Sequence, residues 1–325
     1  MTRRSKARVV IGAVTIVLFV LIIRRVNPAK LRDYVVGVNL FWLIAVLLLN
    51  LLNTGVEAVR WRLILSPIKK DIQIRSTFAA ILAGVAGNTV FPLRLGDSLR
   101  AYVLAKREHV SLATSLGTVM LDRVADVTFF LAMVVVTGFF FDFPSLIRKA
   151  GFFVALAVVV GMIVFIALRR FHAHLALRFD GKLGSKVMSQ IHRFTMGLSS
   201  LKSAGILLPV SLLSALSWAV RLAMVLAIFR AFHLTPDKHM VIASAVFLIS
   251  VNLGIAAVSS PANLGGFEAA GVLALTYFGV DYDLALSSTL ILHMVEVIPM
   301  ALLGLVVLWL GGVRSSEILK GAESQ

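Results

Sequence analysis

The 325-residue chain contains no cysteine, which removes disulfides, thiolate nucleophiles and Cys-based metal sites together. Its His, Asp and Glu are scattered without the HExxH spacing, so no metal site is expected. No Walker A pattern occurs, so nothing points to ATP, and no cofactor is expected. Acidic residues are scarce: 16 Asp and Glu stand against 32 Lys and Arg, for a formal charge of +16. Charged residues of both signs make up only 15% of the chain. The rest is apolar to a degree that no soluble domain of this size could bury, with 59% hydrophobic residues and a mean hydropathy of +0.95. That composition is an integral membrane protein's.

Apolar stretches cover 9–23, 38–56, 78–90, 112–141, 152–168, 206–229, 241–258, 267–280 and 284–310. Several reach the ~20 residues a helix needs to cross a ~30 Å hydrocarbon core. The first has basic residues before it like a signal peptide, but "RRVNPAK" offers no small-residue cleavage site and reads as following a retained anchor. The stretch 78–90 and the pair around Pro261 are short or interrupted by Gly, Pro and Asn. An unpaired backbone group in lipid costs several kcal/mol, so broken helices survive only inside protein or beside a wet cavity. These breaks mark the expected working site.

The two breaks resemble each other. "NTVFPLRLGDSLRAYVL" (88–104) and "SSPANLGGFEAAGVLAL" (259–275) both carry P-x-x-L-G, as Pro92, Leu95, Gly96 and as Pro261, Leu264, Gly265, with Asp97 or Glu268 soon after. Each is followed by an acid-bearing apolar helix: "LDRVADV" with Asp122, Arg123 and Asp126, then "LHMVEVIP" with His293 and Glu296. Two halves of this order, 38–168 and 204–311, point to an internally duplicated transporter with its site at the repeat interface. The expected fold is an all-α polytopic membrane protein of about six full transmembrane helices and two re-entrant or broken helical hairpins, related as an inverted repeat. With both termini inside, roughly three times as many Lys and Arg fall on the cytoplasmic side as outside. That count assigns the basic residues of 60–75 and 94–107 to cytoplasmic loops; 24–30 is its main exception.

These motifs, with "EAVRWRLIL" at 57–65, resemble the lysylphosphatidylglycerol synthase transmembrane-domain family, also called the flippase-like domain family. The likeness covers nearly the whole chain as a single domain. It implies translocation of aminoacylated phosphatidylglycerol or polyprenyl-linked sugars, or service in hopanoid pathways. The chain ends at Gln325, soon after the last span, so a stand-alone member without the aminoacyltransferase domain is expected.

Residue chemistry agrees with a lipid-headgroup site. The helix beginning near Asp97 offers free N–H groups and a positive dipole end to an anion, and Arg94 adds a planar donor fork, with Arg100 and Arg123 the next nearest cations. Gly96, Gly265 and Gly266 permit close backbone approach, and Asn88, Asn252 and Asn263 can bond glycerol or sugar hydroxyls. Asp97 reads equally as a helix cap. Asp122 and Asp126 share one helical face, with Arg123 placed for an intrahelical pair to Asp126. Pro299 removes the N–H that would bond the Val295 carbonyl, opening the helix beside Glu296, and His293 stands one turn earlier. For these acidic residues, glue between helices competes with a polar track for a headgroup or protons.

The linker 169–203 sets Leu183, Val187, Ile191, Phe194, Leu198 and Leu201 on one helical face with basic residues around it, the pattern of a helix lying on an anionic leaflet. The expected partners are therefore membrane lipids, with a second copy of the chain and lipid-modifying or glycosyltransferase enzymes as protein partners. Nucleic acid is not among them, because the excess charge is that of positive-inside loops. The reading is a lipid flippase of the bacterial cytoplasmic membrane, not an enzyme. Its rival is a membrane enzyme or subunit of lipid modification that uses Asp122, Asp126, His293 and Glu296 for acid-base chemistry.

Overall fold

The computed structural model describes residues 28–90, 95–143, 204–236, 239–258 and 260–311, together with Lys149 and Leu156. The expected spans at 9–23 and 152–168, the linker 169–203, Pro92 and Arg94 lie outside the described residues. Within them the chain is helical: α1 (Pro28–Val36), α2 (Leu40–Leu65), α3 (Ile74–Val90), α4 (Gly96–Glu108), α5 (Leu112–Gly138), α6 (Ala204–Ala231), α7 (Met240–Ala257), a 3-10 turn (Pro261–Asn263), α8 (Gly266–Tyr277) and α9 (Tyr282–Leu310). Side chains start three of the long helices. Asn39 accepts from Phe41 N at 3.0 Å, Ser111 from Thr114 N at 3.0 Å, and Asp281 from Asp283 N at 3.0 Å, each satisfying an N–H the helix itself leaves open.

Among the described residues, α2, α6, α7 and α9 are long and apolar enough to cross a membrane. The 27-residue α5 is equally long, about 40 Å at 1.5 Å per residue. It carries Asp122, Arg123 and Asp126 at its middle. Helical faces divide sharply. On α2 Leu40, Ile44, Leu48 and Leu52 step by four along an exposed apolar stripe, as do Leu208, Leu212 and Leu216 on α6 and Met294, Ile298 and Leu302 on α9. With water outside, such stripes would be costly; against lipid tails they are matched.

Both expected breaks are present as hairpins. α3 packs along α4 and α7 along α8, and the turn Pro261–Asn263 of the second hairpin touches α3 of the first. Each hairpin closes on a glycine pair. A Cβ at Gly96 would collide with the Gly84 carbonyl and one at Gly266 would come within 2.6 Å of the Gly254 carbonyl, so no side chain fits where the arms cross. In each hairpin the paired glycines are twelve residues apart. This shifts the sequence match by one position: Gly96 corresponds to Gly266 and not to Gly265, because the second turn holds one more residue after its proline. That turn places Ala262 (φ 51°), Asn263 (φ 60°) and Gly265 (φ 84°) in the left-handed region, where glycine alone is unstrained. Although α7 has the length to span, it is an arm of this hairpin, as the interrupted stretch at Pro261 predicts.

The interior holds two apolar cores. One joins Trp61, Ile64, Leu65 and Leu121 with α3 and α4; the other joins Val46, Phe130 and Trp218 with α7, α8 and the first half of α9. On α2 the residues between Val46 and Ala58 include Asn50, Asn53, Thr54 and Glu57, and on α5 those between Leu121 and Phe130 include Asp122, Arg123 and Asp126. Two helices thus turn polar at the same level, and a polar layer separates the cores.

One assignment from the charge count is wrong. Arg60, placed by sequence in a cytoplasmic loop, is 1% exposed in the last third of α2, and Arg100 is 3% exposed within α4. Their positive charge serves a buried network and contributes nothing to the positive-inside bias.

Candidate functional site

The polar layer is built around Asp122. Its Oδ1 accepts from Arg60 Nε at 2.8 Å and its Oδ2 lies 2.8 Å from Arg100 Nη2, so one carboxylate bridges α2, α4 and α5. The Arg100 guanidinium lies 4.0 Å over the Trp61 ring, whose Nε1 donates to Thr118 Oγ1 at 3.1 Å. Arg60 Nη1 continues to Asp126 Oδ1 and Ser214 Oγ, both at 3.2 Å. Asp126 Oδ2 lies 3.7 Å from Arg221 Nη2, which donates to Glu57 Oε1 at 2.6 Å. Glu57 also accepts from Asn53 Nδ2 at 3.0 Å, and Ser217 Oγ donates to Asn53 Oδ1 at 2.7 Å. Arg221 rests 5.0 Å from the Trp218 ring, and Trp218 Nε1 donates to the Asp126 carbonyl. A chain of charge-assisted bonds through four helices is stable in a low dielectric only when each ion keeps its partner.

Arg123 behaves differently from its sequence expectation. Its guanidinium turns from Asp126 to Asp97 on α4, with Nε and Nη2 at 3.1 and 2.5 Å from the two carboxylate oxygens. This fork-to-fork geometry is stronger than an i, i+3 contact along one helix, which cannot align both pairs of atoms. Asp97 accordingly is no cap. Leu95 holds the N-cap position of α4, and the Gly96 N–H is taken by Asn88 Oδ1 at 2.9 Å across the hairpin. The helix start expected to be open to an anion is thus already partly satisfied.

The second hairpin has its own buried pair. Glu268 Oε2 accepts from Gly265 N at 2.7 Å, and its Oε1 lies 2.6 Å from His293 Nδ1. The imidazole stacks on Phe267 at 4.3 Å, and its Nε2 is buried without a hydrogen-bond partner among the described residues. One turn on, the Pro299 break is filled as chemistry requires: Asn50 Nδ2 donates to the Glu296 carbonyl at 2.9 Å and reaches the Val295 carbonyl at 3.4 Å. The one acceptor that proline leaves open, the Val295 carbonyl, is thus reached from α2.

A cavity of about 490 Å³ opens on this layer, within the ~300–1,000 Å³ range of small-molecule sites. It receives both hairpins and all the long helices. Of the residues singled out by sequence, Asn88, Asp97, Arg100, Arg123, Asp126, Asn252, Asn263 and Glu296 line it. Asp122 sits behind as the bridge. Gly96, Pro261, Gly265 and Gly266 shape the hairpins without lining the cavity, and Glu268 and His293 lie behind Phe267, which does line it. Glu57, Arg221, Asn50 and Asn53 line it too, and Arg60 stands behind it; sequence reasoning missed them as site residues. Their signal was present: Asn50, Asn53, Glu57 and Arg60 recur at steps of three and four, one polar stripe in an apolar helix.

The sequence comparisons agree with this architecture. The family model for the lysylphosphatidylglycerol synthase TM region matches residues 7–304. A UPF0104 membrane protein of Methanothermobacter thermautotrophicus is 25% identical, over 98% of this chain and 99% of its own. The UPF0104 membrane protein MJ1595 of Methanocaldococcus jannaschii is 22% identical over 88% and 90%. The family match over nearly all of the chain leads to one conclusion: this membrane protein belongs to the lysylphosphatidylglycerol synthase transmembrane-region family.

Proposed function

We propose that this protein moves the headgroup of an anionic, aminoacylated or glycosylated lipid across the cytoplasmic membrane while the tails stay in lipid. The observation that carries the reading is the cavity of about 490 Å³ within the polar layer, lined by Arg100, Arg123, Arg221 and Glu296 and by the amides of Asn53, Asn88 and Asn252. Burying this many ions in a membrane is costly, so they are retained where a polar passenger uses them. The volume suits a headgroup rather than a whole lipid, and the apolar outer stripes of α2, α6 and α9 leave the tails a path along the surface. On this reading both termini are cytoplasmic.

The test is reconstitution of the purified protein in liposomes, followed by headgroup sidedness and lipid composition together. Changed sidedness with unchanged lipid chemistry supports translocation. Chemically altered lipid at unchanged sidedness supports the enzyme reading and overturns this one.

A further inference from the structure

The ions of the polar layer cancel except at one place. Arg60, Arg100, Arg123 and Arg221 are matched by Asp122, Asp126, Asp97 and Glu57, each arginine touching at least one carboxylate. Among the carboxylates that line the cavity, Glu296 is the one left over. Among the described residues it makes no side-chain hydrogen bond or ion pair. What holds it is backbone: Asn50 fixes its carbonyl at the Pro299 break. Three residues earlier on the same face of α9, His293 carries a buried Nε2 with no partner.

We propose that Glu296 is a proton-binding site, loaded from the cavity in the state that admits the headgroup, with His293 and Glu268 positioned behind it to tie its charge to the second hairpin. The proposal rests on the translocation reading above. The titratable and charged groups that share the cavity with Glu296 are Glu57 on α2, Asp97 and Arg100 on α4, Arg123 and Asp126 on α5 and Arg221 on α6, while α3 contributes Asn88 and Thr89 and no titratable group; Arg60 on α2, Glu268 on α8 and His293 on its own helix stand behind that lining. Ionised, Glu296 gives the layer one negative charge too many and repels a phosphate. Protonated, it leaves every remaining carboxylate with a partner, an arginine for Asp97, Asp122, Asp126 and Glu57 and His293 for Glu268, while the guanidinium N–H groups still without acceptors, Arg221 Nε and Arg100 Nε, remain for the incoming oxygens. Proton and anion therefore load together. The proton comes from water on the side where the headgroup enters, forms one O–H bond on Glu296, and returns to water on the side where the headgroup leaves. Glu268, bonded both to His293 and to the Gly265 N–H, connects that event to the hairpin turn.

The experiment uses the full chain in vesicles with a fluorescent phosphatidylglycerol as probe and a trapped pH indicator. An imposed proton gradient should speed probe movement several-fold in the gradient's direction, with acidification of the receiving lumen. In Glu296→Gln the ratio of rates with and without gradient should fall to one, and Glu296→Asp should restore part of it. Wild-type movement indifferent to the gradient overturns the proton site and leaves translocation standing. An absence of wild-type probe movement under all conditions counts against translocation of that lipid. The proton site is then decided separately by infrared difference spectra of purified protein: a protonated-carboxyl carbonyl band appearing on acidification and missing in Glu296→Gln supports it, and a band unchanged in that variant overturns it.

Discussion

Removing the charge of Asp122 should cripple the fold, whereas removing that of Glu296 should not. Asp122 is 1% exposed and holds Arg60 and Arg100, each at 2.8 Å. Asp122→Asn keeps the shape but takes away the carboxylate that Arg100 touches and one of the two that hold Arg60. Breaking a buried pair by deleting one partner costs about 3–5 kcal/mol. A chain of this size loses about 2 °C of Tm per kcal/mol, so the melting point should fall by roughly 6–10 °C. Glu296→Gln strands no partner among the described residues, and Tm should stay level or rise, the usual mark of a charge kept for use rather than stability. Thermal unfolding in detergent, followed by tryptophan fluorescence, reads both variants. Partial recovery of Asp122→Asn by a second change, Arg100→Met, would identify the stranded cation as the cause, since coupled neighbours are non-additive. An Asp122→Asn protein that melts with the wild type would refute the ion triad of Asp122, Arg60 and Arg100 as a support of the fold.

Gly96→Ala should abolish folded protein because its Cβ meets the Gly84 carbonyl, while Gly55→Ala, with nothing within 4 Å, should be tolerated; yield of monodisperse protein in detergent distinguishes them. Asn50→Leu should cost about 1–3 kcal/mol by leaving the Val295 carbonyl unmet at the proline break. Much of that loss should vanish in a Pro299→Ala background, where α9 can bond Val295 itself, and thermal melts of the four proteins test it. Arg123→Gln removes a pair whose side chains are about two-fifths exposed, so stability should change by at most about 1 kcal/mol. Headgroup movement in liposomes should fall well below wild type.

The sequence announced the hairpins because lipid punishes an unpaired backbone, so Gly, Pro and Asn inside an apolar run are conspicuous. It also revealed the Pro299 opening, whose geometry follows from a missing N–H. It misled where one residue type serves two purposes. Arg60 sits five residues from the end of α2, and by sequence alone its charge belongs equally to a cytoplasmic loop; only the folding of α5 beside α2, which presents Asp122 and Asp126, makes it an internal ion. Arg123 failed for a related reason. Helical spacing names the partners along one helix, but Asp97 on the preceding helix, α4, offers both carboxylate oxygens in one plane. Register in the second hairpin was off by one because P-x-x-L-G aligns on proline, whereas the contact that matters is the backbone crossing at Gly254 and Gly266.

The most direct test of the account is the accessibility of a labelled lipid headgroup in proteoliposomes, measured over time against protein-free vesicles and against vesicles holding Arg221→Gln. Arg221 joins Glu57 to Asp126 at the cavity wall. Wild-type protein should move the label between leaflets with its chemistry unchanged, and Arg221→Gln, folded by thermal melt, should move it far more slowly. Equal rates in wild-type and protein-free vesicles, for anionic, aminoacylated and glycosylated lipids alike, would contradict that expectation.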